Sequence, residues 1–354
     1  MSTMNHSNSI NSTPLSFTCD YNEGAHPEIL RRLMETNMQQ EPGYGSDRFT
    51  QAAIEKIRAA CGCPNADVVL LVGGTQTNST IIDAVLPRFG AVIAAETGHI
   101  AVHEAGAVEH NGHKVITLPQ HEGKMHAEDL QNYLARFFAD DTWQHMANPK
   151  MVYLSYPTEY GTLYSRSELE AIHRICRANG LMLFIDGARL GYGLMSAEAD
   201  IDLPTLAQLC DVFYIGGTKI GALCGEAVVF PKGDAPQPLL TVVKLHGALL
   251  AKGRLLGIQF DTLFTDELYF RISRHAIDMA MQLQQLFSEK QIPLYIQSPT
   301  NQQFPILTPE QMQRLKSKVL YEIWDRLPDG RAITRFATSW ATPPEHIRLL
   351  KEIL

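Results

Sequence analysis

The sequence of 354 residues lacks any apolar run near the roughly 18 residues that a membrane-spanning helix needs, and its opening, "MSTMNHSNSINSTP", has no hydrophobic signal core. It is also poor in cysteine: Cys19, Cys61, Cys63, Cys176, Cys210 and Cys224 are scattered through a long chain, which fits neither a secreted disulfide framework nor paired zinc knuckles. A reducing, cytoplasmic compartment is the expectation, so the NST triplets at Asn11 and Asn78 are read as chance matches. Basic clusters are absent too. With 30 Lys and Arg against 38 Asp and Glu, a net charge of -8 and no basic stripe, neither nucleic acid nor an anionic membrane is an expected partner. Small molecules are. No internal repeat is visible, and the only biased stretch is the polar arm over residues 1–16, expected to be flexible.

What is present is ample apolar material, 45% of the chain, in a regular alternation. Short apolar runs at 67–72, 91–95, 114–118, 151–155, 181–186, 212–215 and 227–230 lack strict polar alternation, as strands covered on both faces do. Helical patterns lie between them, among them one whose start is read at Ser167 with Glu170 as a capping-box pair and whose stop is Gly180. The fold class is α/β, with a mostly parallel central sheet between helices in a large domain over 17–250 and a smaller α+β domain over 251–354. For the C-terminal part the pattern predicts helix over about 240–290, strands at 293–297 and 331–340, and an amphipathic helix over 308–318.

In such sheets ligands sit at the carboxyl ends of the strands, and three strand ends carry unusual chemistry. "VVLLVGGTQTN" runs from a strand through Gly73, Gly74 and Thr75 into a helix, whose free N–H groups suit a phosphate dianion. An ordinary turn capped by Thr75 or Thr77 is the alternative. "LMLFIDGARLG" ends in Asp186, a carboxylate that needs a cation or several donors to offset its desolvation, unless it serves as a cap or pairs with Arg189. "VFYIGGTKIG" sets Lys219 among Gly216, Gly217, Thr218 and Gly221, where a partly desolvated amine can attack a carbonyl, or where a lysine can simply snorkel. One cofactor requires all three. Pyridoxal 5'-phosphate has a phosphate, a ring nitrogen that must stay protonated, and an aldehyde stored on a lysine. His99 and His103, four apart, read also as metal ligands on one helix face, although the glutamate of an HExxH pattern is missing.

Carried by "PGYGSD" 42–47, "GGTQTN" 73–78, "ETGHIAVHEAGA" 96–107, "IDGAR" 185–189, "GGTKIGALCGEAVVF" 216–230 and "KGRLLGIQF" 252–260, the chain resembles the threonine aldolase and β-eliminating lyase family of fold-type I pyridoxal phosphate enzymes. The resemblance implies Gly74 and Thr75 at the phosphate, Asp186 at the ring nitrogen, Arg189 close to the ring, and Lys219 as the cofactor-bearing lysine. It implies His99 on the ring face, implicated in acid–base work directly or through water. Tyr44 matches a loop that borders the active site, often a neighbouring subunit's, in a homodimer or homotetramer. Arg335 matches the arginine that holds the substrate carboxylate, with Arg254 as a second candidate. Where the family shows a second histidine, this chain has Thr158 followed by Glu159.

The implied activity is retro-aldol cleavage of L-β-hydroxy-α-amino acids to glycine and an aldehyde. The alternatives are β-elimination or transamination, a metal-dependent hydrolase built on His99, His103 and Glu104, or a silent binding protein.

Overall fold

The computed structural model describes residues 14–354. Its centre is a seven-stranded sheet of β1 (Asp67–Leu71), β2 (Gly90–Ala95), β3 (Lys114–Leu118), β4 (Asn148–Ser155), β5 (Met182–Asp186), β6 (Val212–Gly216) and β7 (Glu226–Phe230), matching all seven runs read from the sequence. The order across the sheet is β1-β7-β6-β5-β4-β2-β3, and only β7 runs against its neighbours.

The absence of polar alternation in these strands follows from helices on both faces. Ile93, Val152, Leu154, Ile185, Phe213 and Val229 pack into one core, while Val92, Met151, Tyr153, Phe184, Tyr214 and Val228 pack into the other. Each such side chain removed from water contributes about 1.5–3 kcal/mol. The same alternation puts Asp186, two residues beyond Phe184, on the face that carries Tyr153 and Tyr214.

The helix Arg166–Asn179 is capped by Ser165 and Glu168, not by Ser167 and Glu170. Both pairs have the right spacing, but Ser165 is the residue with extended backbone, and its Oγ accepts the Glu168 N–H. Gly180 ends the helix at φ 63°, as read.

Beyond the sheet come helices Leu239–Leu245, Arg254–Leu263 and Leu268–Glu289, the last with a continuous buried stripe. A four-stranded sheet is built on Ala332–Ala337, paired with Ile306–Leu307, Gln302–Gln303 and Glu322–Arg326. The strand read at 293–297 is not formed; that stretch makes a single bridge, Leu294 with Pro305, because Pro293 and Pro305 remove N–H donors from the ladder. The helix expected over 308–318 is Pro309–Leu315, capped by Thr308 and Gln311.

Of the arm expected over 1–16, residues 1–13 lie outside the described residues. Leu15–Ser16 form a short strand parallel to Val319–Leu320, and Phe17 O accepts the Ala337 N–H at 2.8 Å.

Glycines let the strand ends close on each other. A Cβ on Gly187 would lie 1.8 Å from the Tyr214 carbonyl oxygen, and one on Gly216 would lie 2.4 Å from that of Ala188. Gly187→Ala should therefore destabilise the fold by about 3 kcal/mol or more, since backbone must move. Gly24→Ala, with open space at its Cβ, should stay within about 0.5 kcal/mol of the parent in urea unfolding.

Candidate active site

The cleft lies at the carboxyl ends of the central strands. One half is lined by Gly74, His99, Thr158, Glu159, Asp186 and Lys219, among others; the other is shared by His99, Glu159, Arg189 and Lys219 with Tyr21, His103, Gln302, Trp324 and Arg335.

Lys219 sits in a tight turn after β6. Gly217 and Thr218 N–H groups both donate to the Gly225 carbonyl, at 2.9 and 3.1 Å, and the Lys219 carbonyl accepts from Tyr192 Oη at 2.6 Å. Gly221 has φ +81°, a left-handed backbone that side chains rarely adopt, and a Cβ there would lie 2.8 Å from Ile272 Cδ1. The small neighbours thus allow the turn to close while the lysine reaches the cleft. Burial, with the Arg189 guanidinium, pushes the Lys219 ammonium below its ordinary range, against Asp20, Asp186 and Glu226. Glu226 faces this turn from β7, accepting from Thr218 Oγ1 at 2.8 Å and from Gly217 N at 3.2 Å. Burial pushes its carboxyl up to about 8.

Asp186 ends β5 and is buried. It accepts from Tyr153 Oη, from Tyr214 Oη at 2.5 Å, from Asn78 Nδ2 at 2.9 Å and from Ala188 N at 2.9 Å. Burial raises its pKa, but His99 and these donors outweigh the burial and hold the carboxyl below its usual range. It does not pair with Arg189. That guanidinium binds buried Asp20 instead, through Nε at 2.6 Å and Nη2 at 3.0 Å.

Asn78 Nδ2 also donates to Glu104 Oε1, 2.8 Å away, which in turn lies 2.7 Å from His99 Nδ1. An Nδ1–H directed at Glu104 leaves Nε2 as the nitrogen facing away from that carboxylate, an acceptor whenever the ring carries a single proton. His99 begins a helix of only four residues, His99–Val102, so His103 falls outside it, its ring 5.6 Å from that of His99 and 6.5 Å from Trp324. His99, His103 and Glu104 do not gather as ligands. Among the described residues the group with ligand atoms in mutual reach is His121, His126 and Asp129, outside the cleft.

The helix after β1 is Gly74–Val85, with Gly73 as an extended N-cap and no capping side chain. Neither Thr75 nor Thr77 caps it; Thr75 is exposed, and Thr77 Oγ1 is buried without a partner. Arg335 reaches the cleft from Ala332–Ala337 and is buried rather than a surface charge. It donates to Gln302 Oε1 at 3.0 Å, pairs with Glu322 directly across the strand and lies 5.4 Å over Trp324, while its Nε is unpartnered.

Two candidates lie elsewhere. Tyr44, at φ 58° between two glycines, is exposed beneath Lys244 Nζ at 4.8 Å and does not line this chain's cleft. Arg254 is engaged by the carbonyls of Thr36 and Gln39 and by the Phe49 ring, so it is tied up within the scaffold. Sequence reasoning missed Asp20, Tyr153, Tyr214 and Glu226. The two tyrosines were visible as polar tips within aliphatic strands; Asp20, 169 residues from Arg189, carried no signal.

This is an α/β protein whose cleft combines a buried anion, a depressed lysine and an uncapped helix start. A model of the beta-eliminating lyases matches residues 19–304. The chain belongs to the threonine aldolase and beta-eliminating lyase family. It is similar to the structure of Leishmania major threonine aldolase, with 40% identity, a TM-score of 0.93 and coverage of 96% of this chain and 98% of that one. The low specificity L-threonine aldolase of Pseudomonas aeruginosa is 28% identical over 94% of this chain and 95% of the relative. Aspartate aminotransferase from Thermus thermophilus, at 15% identity, a TM-score of 0.70 and coverage of 96% and 91%, shares the fold.

Burial raises the Asp20 carboxyl, but Arg189, Lys219 and the Asn301 donor outweigh it and hold it low. A lowered folded-state pKa gives stability that is present above the ordinary carboxylate range and lost as pH falls through the folded value. Asp20→Asn leaves a buried guanidinium unpaired, so it should cost about 3–5 kcal/mol at pH 7. In urea unfolding the gap to the parent should narrow as the pH is lowered.

Proposed function

We propose that the protein is a pyridoxal 5'-phosphate-dependent lyase that cleaves the Cα–Cβ bond of L-β-hydroxy-α-amino acids, giving glycine and an aldehyde. The observation that carries this reading is the convergence of Lys219 and Asp186 on one cleft with the uncapped helix start at Gly74. The donor set fits the cofactor: an anion held ionised by four donors for a protonated ring nitrogen, a lysine whose amine is readily freed, and helix amides for a phosphate. When bound, the cofactor supplies an electron sink for the pair released at Cα.

The chain's own residues do the rest. Gly74 and Thr75 would hold the phosphate, Asp186 would keep the ring nitrogen protonated, and Lys219 would be the residue that binds the aldehyde. Arg189, fixed by Asp20, adds positive charge beside the lysine and favours its free amine. His99, with Nδ1 committed to Glu104, offers Nε2 to the substrate's β-hydroxyl, directly or through a water. Arg335 takes the substrate carboxylate, which competes with Glu322 for the guanidinium. Tyr44, exposed and not lining its own cleft, is assigned to a neighbouring subunit's site in a homodimer or homotetramer; Met38 and Leu245 are likewise exposed. No helix among the described residues is long and apolar enough to cross a membrane.

Offered L-threonine, L-allo-threonine, phenylserine and serine, the purified protein should release glycine and aldehyde in equal amounts from the β-hydroxy substrates. Ammonia with keto acid would instead mark elimination. Lys219→Ala should lose the cofactor that borohydride otherwise fixes to the chain, read as cofactor retained after denaturation. Arg335→Gln should raise KM about tenfold to a hundredfold in a steady-state assay, as expected for losing a charged hydrogen-bond pair.

A further inference from the structure

Glu159 has no part in the assignments above, yet it lines both halves of the cleft. It follows β4 on the loop that leaves Ser155. Its Oε1 accepts the backbone N–H of His99 at 2.9 Å and Ser155 Oγ at 2.6 Å. Those two donors fix the carboxyl in place. Oε2 has no hydrogen-bond partner among the described residues, and it is not sealed in the core. Its neighbour Thr158 is not equivalent, because that hydroxyl lies 2.6 Å from Thr162 Oγ1 and also accepts the Thr162 N–H.

We propose that Glu159 is a second acid–base residue of this site, its Oε2 being where the substrate's β-hydroxyl proton ends as Cα–Cβ breaks. The inference rests on the lyase reading above. The proton arrives straight from the hydroxyl or by way of His99 Nε2. As the O–H bond breaks, its electron pair becomes the second C–O bond of the aldehyde. The Cα–Cβ pair stays with the glycine fragment, which takes up one proton at Cα. Glu159 then gives up the proton it received, so no other reactant is consumed.

The electrostatics suit that task. Burial, then the negative charge of Asp186, push the Glu159 carboxyl above its ordinary range, against the Ser155 hydrogen bond and the charge of His99. A carboxylate raised toward neutrality is the stronger proton acceptor. The other ionisable groups lining the cleft are Lys219, Arg189, Arg335, Glu322, His103, Tyr21 and Tyr214.

Glu159→Gln separates pinning from proton transfer, because the amide oxygen still accepts from His99 N and Ser155 Oγ. In the loaded enzyme, kcat for L-threonine cleavage should fall about a hundredfold with little change in KM. Binding of glycine, which has no hydroxyl, should leave its usual change in the chromophore spectrum intact. The parent's kcat should rise with pH through the Glu159 pKa, and that limb should vanish in the variant. Independently of activity, infrared titration of the cofactor-free chain should show the carboxyls of Glu226 and Glu159 both titrating above the ordinary range, and in Glu159→Gln the Glu159 band alone should be missing. Glu159→Asp should recover part of the lost kcat.

Parental kcat in Glu159→Gln would overturn the proposal, as would equal loss of turnover and glycine binding, which marks a purely structural pin. A parent enzyme that releases no aldehyde from any β-hydroxy amino acid would instead bring down the lyase reading, and this proposal with it.

Discussion

A buried carboxylate at the end of the central strand is the constraint around which the molecule is organised. Asp186 has little access to water, so its charge persists only if protein donors replace the lost hydration. They come from four places in the chain: Tyr153 on β4, Tyr214 on β6, Asn78 on the helix after β1, and the backbone of Ala188. Two neighbouring strands and a helix must therefore be in register before the anion is satisfied. Asn78 extends the arrangement through Glu104 to His99, so the ring that faces the cleft is oriented by the same network.

The second requirement is close approach. Side chains at Gly187 and Gly216 would collide with backbone across β5 and β6, and the Lys219 turn closes only because Gly217 and Gly221 carry none. The other half of the cleft belongs to the smaller sheet and is tied to the first by the segment that follows Leu15. Asp20 binds Arg189 and accepts from Asn301, whose amide also donates to the Thr338 carbonyl. Tyr21 then lies 6.0 Å from Lys219 Nζ, and Arg335 comes in from the strand beside that segment. A short N-terminal stretch thus holds the anion-binding half against the half that takes the substrate's carboxylate in the reading proposed here.

Much of this was legible from local pattern. The central strands stand where continuous apolar runs put them, because two helical layers leave no polar face to interrupt. Lys219, Asp186 and Gly74 meet because strand ends of a parallel sheet point the same way. What was not legible depends on partners distant in sequence. Nothing around Asp20 announces Arg189, and nothing around Arg254 announces the carbonyls that hold it. The choice of Ser165 over Ser167 as cap turned on backbone geometry that two equally spaced pairs do not reveal. Tyr44 reads as a site residue by motif, yet the fold of a single chain leaves it outside.

The central claim is that the Asp186 charge keeps a cofactor ring nitrogen protonated. The direct measurement is the ¹⁵N chemical shift of the pyridine nitrogen in protein loaded with ¹⁵N-labelled pyridoxal 5'-phosphate, at a pH where the free cofactor's nitrogen is deprotonated. The account predicts the shift of a protonated nitrogen in the parent, moving to the deprotonated position in Asp186→Asn. A deprotonated nitrogen in the parent, or the same shift in both proteins, would contradict it.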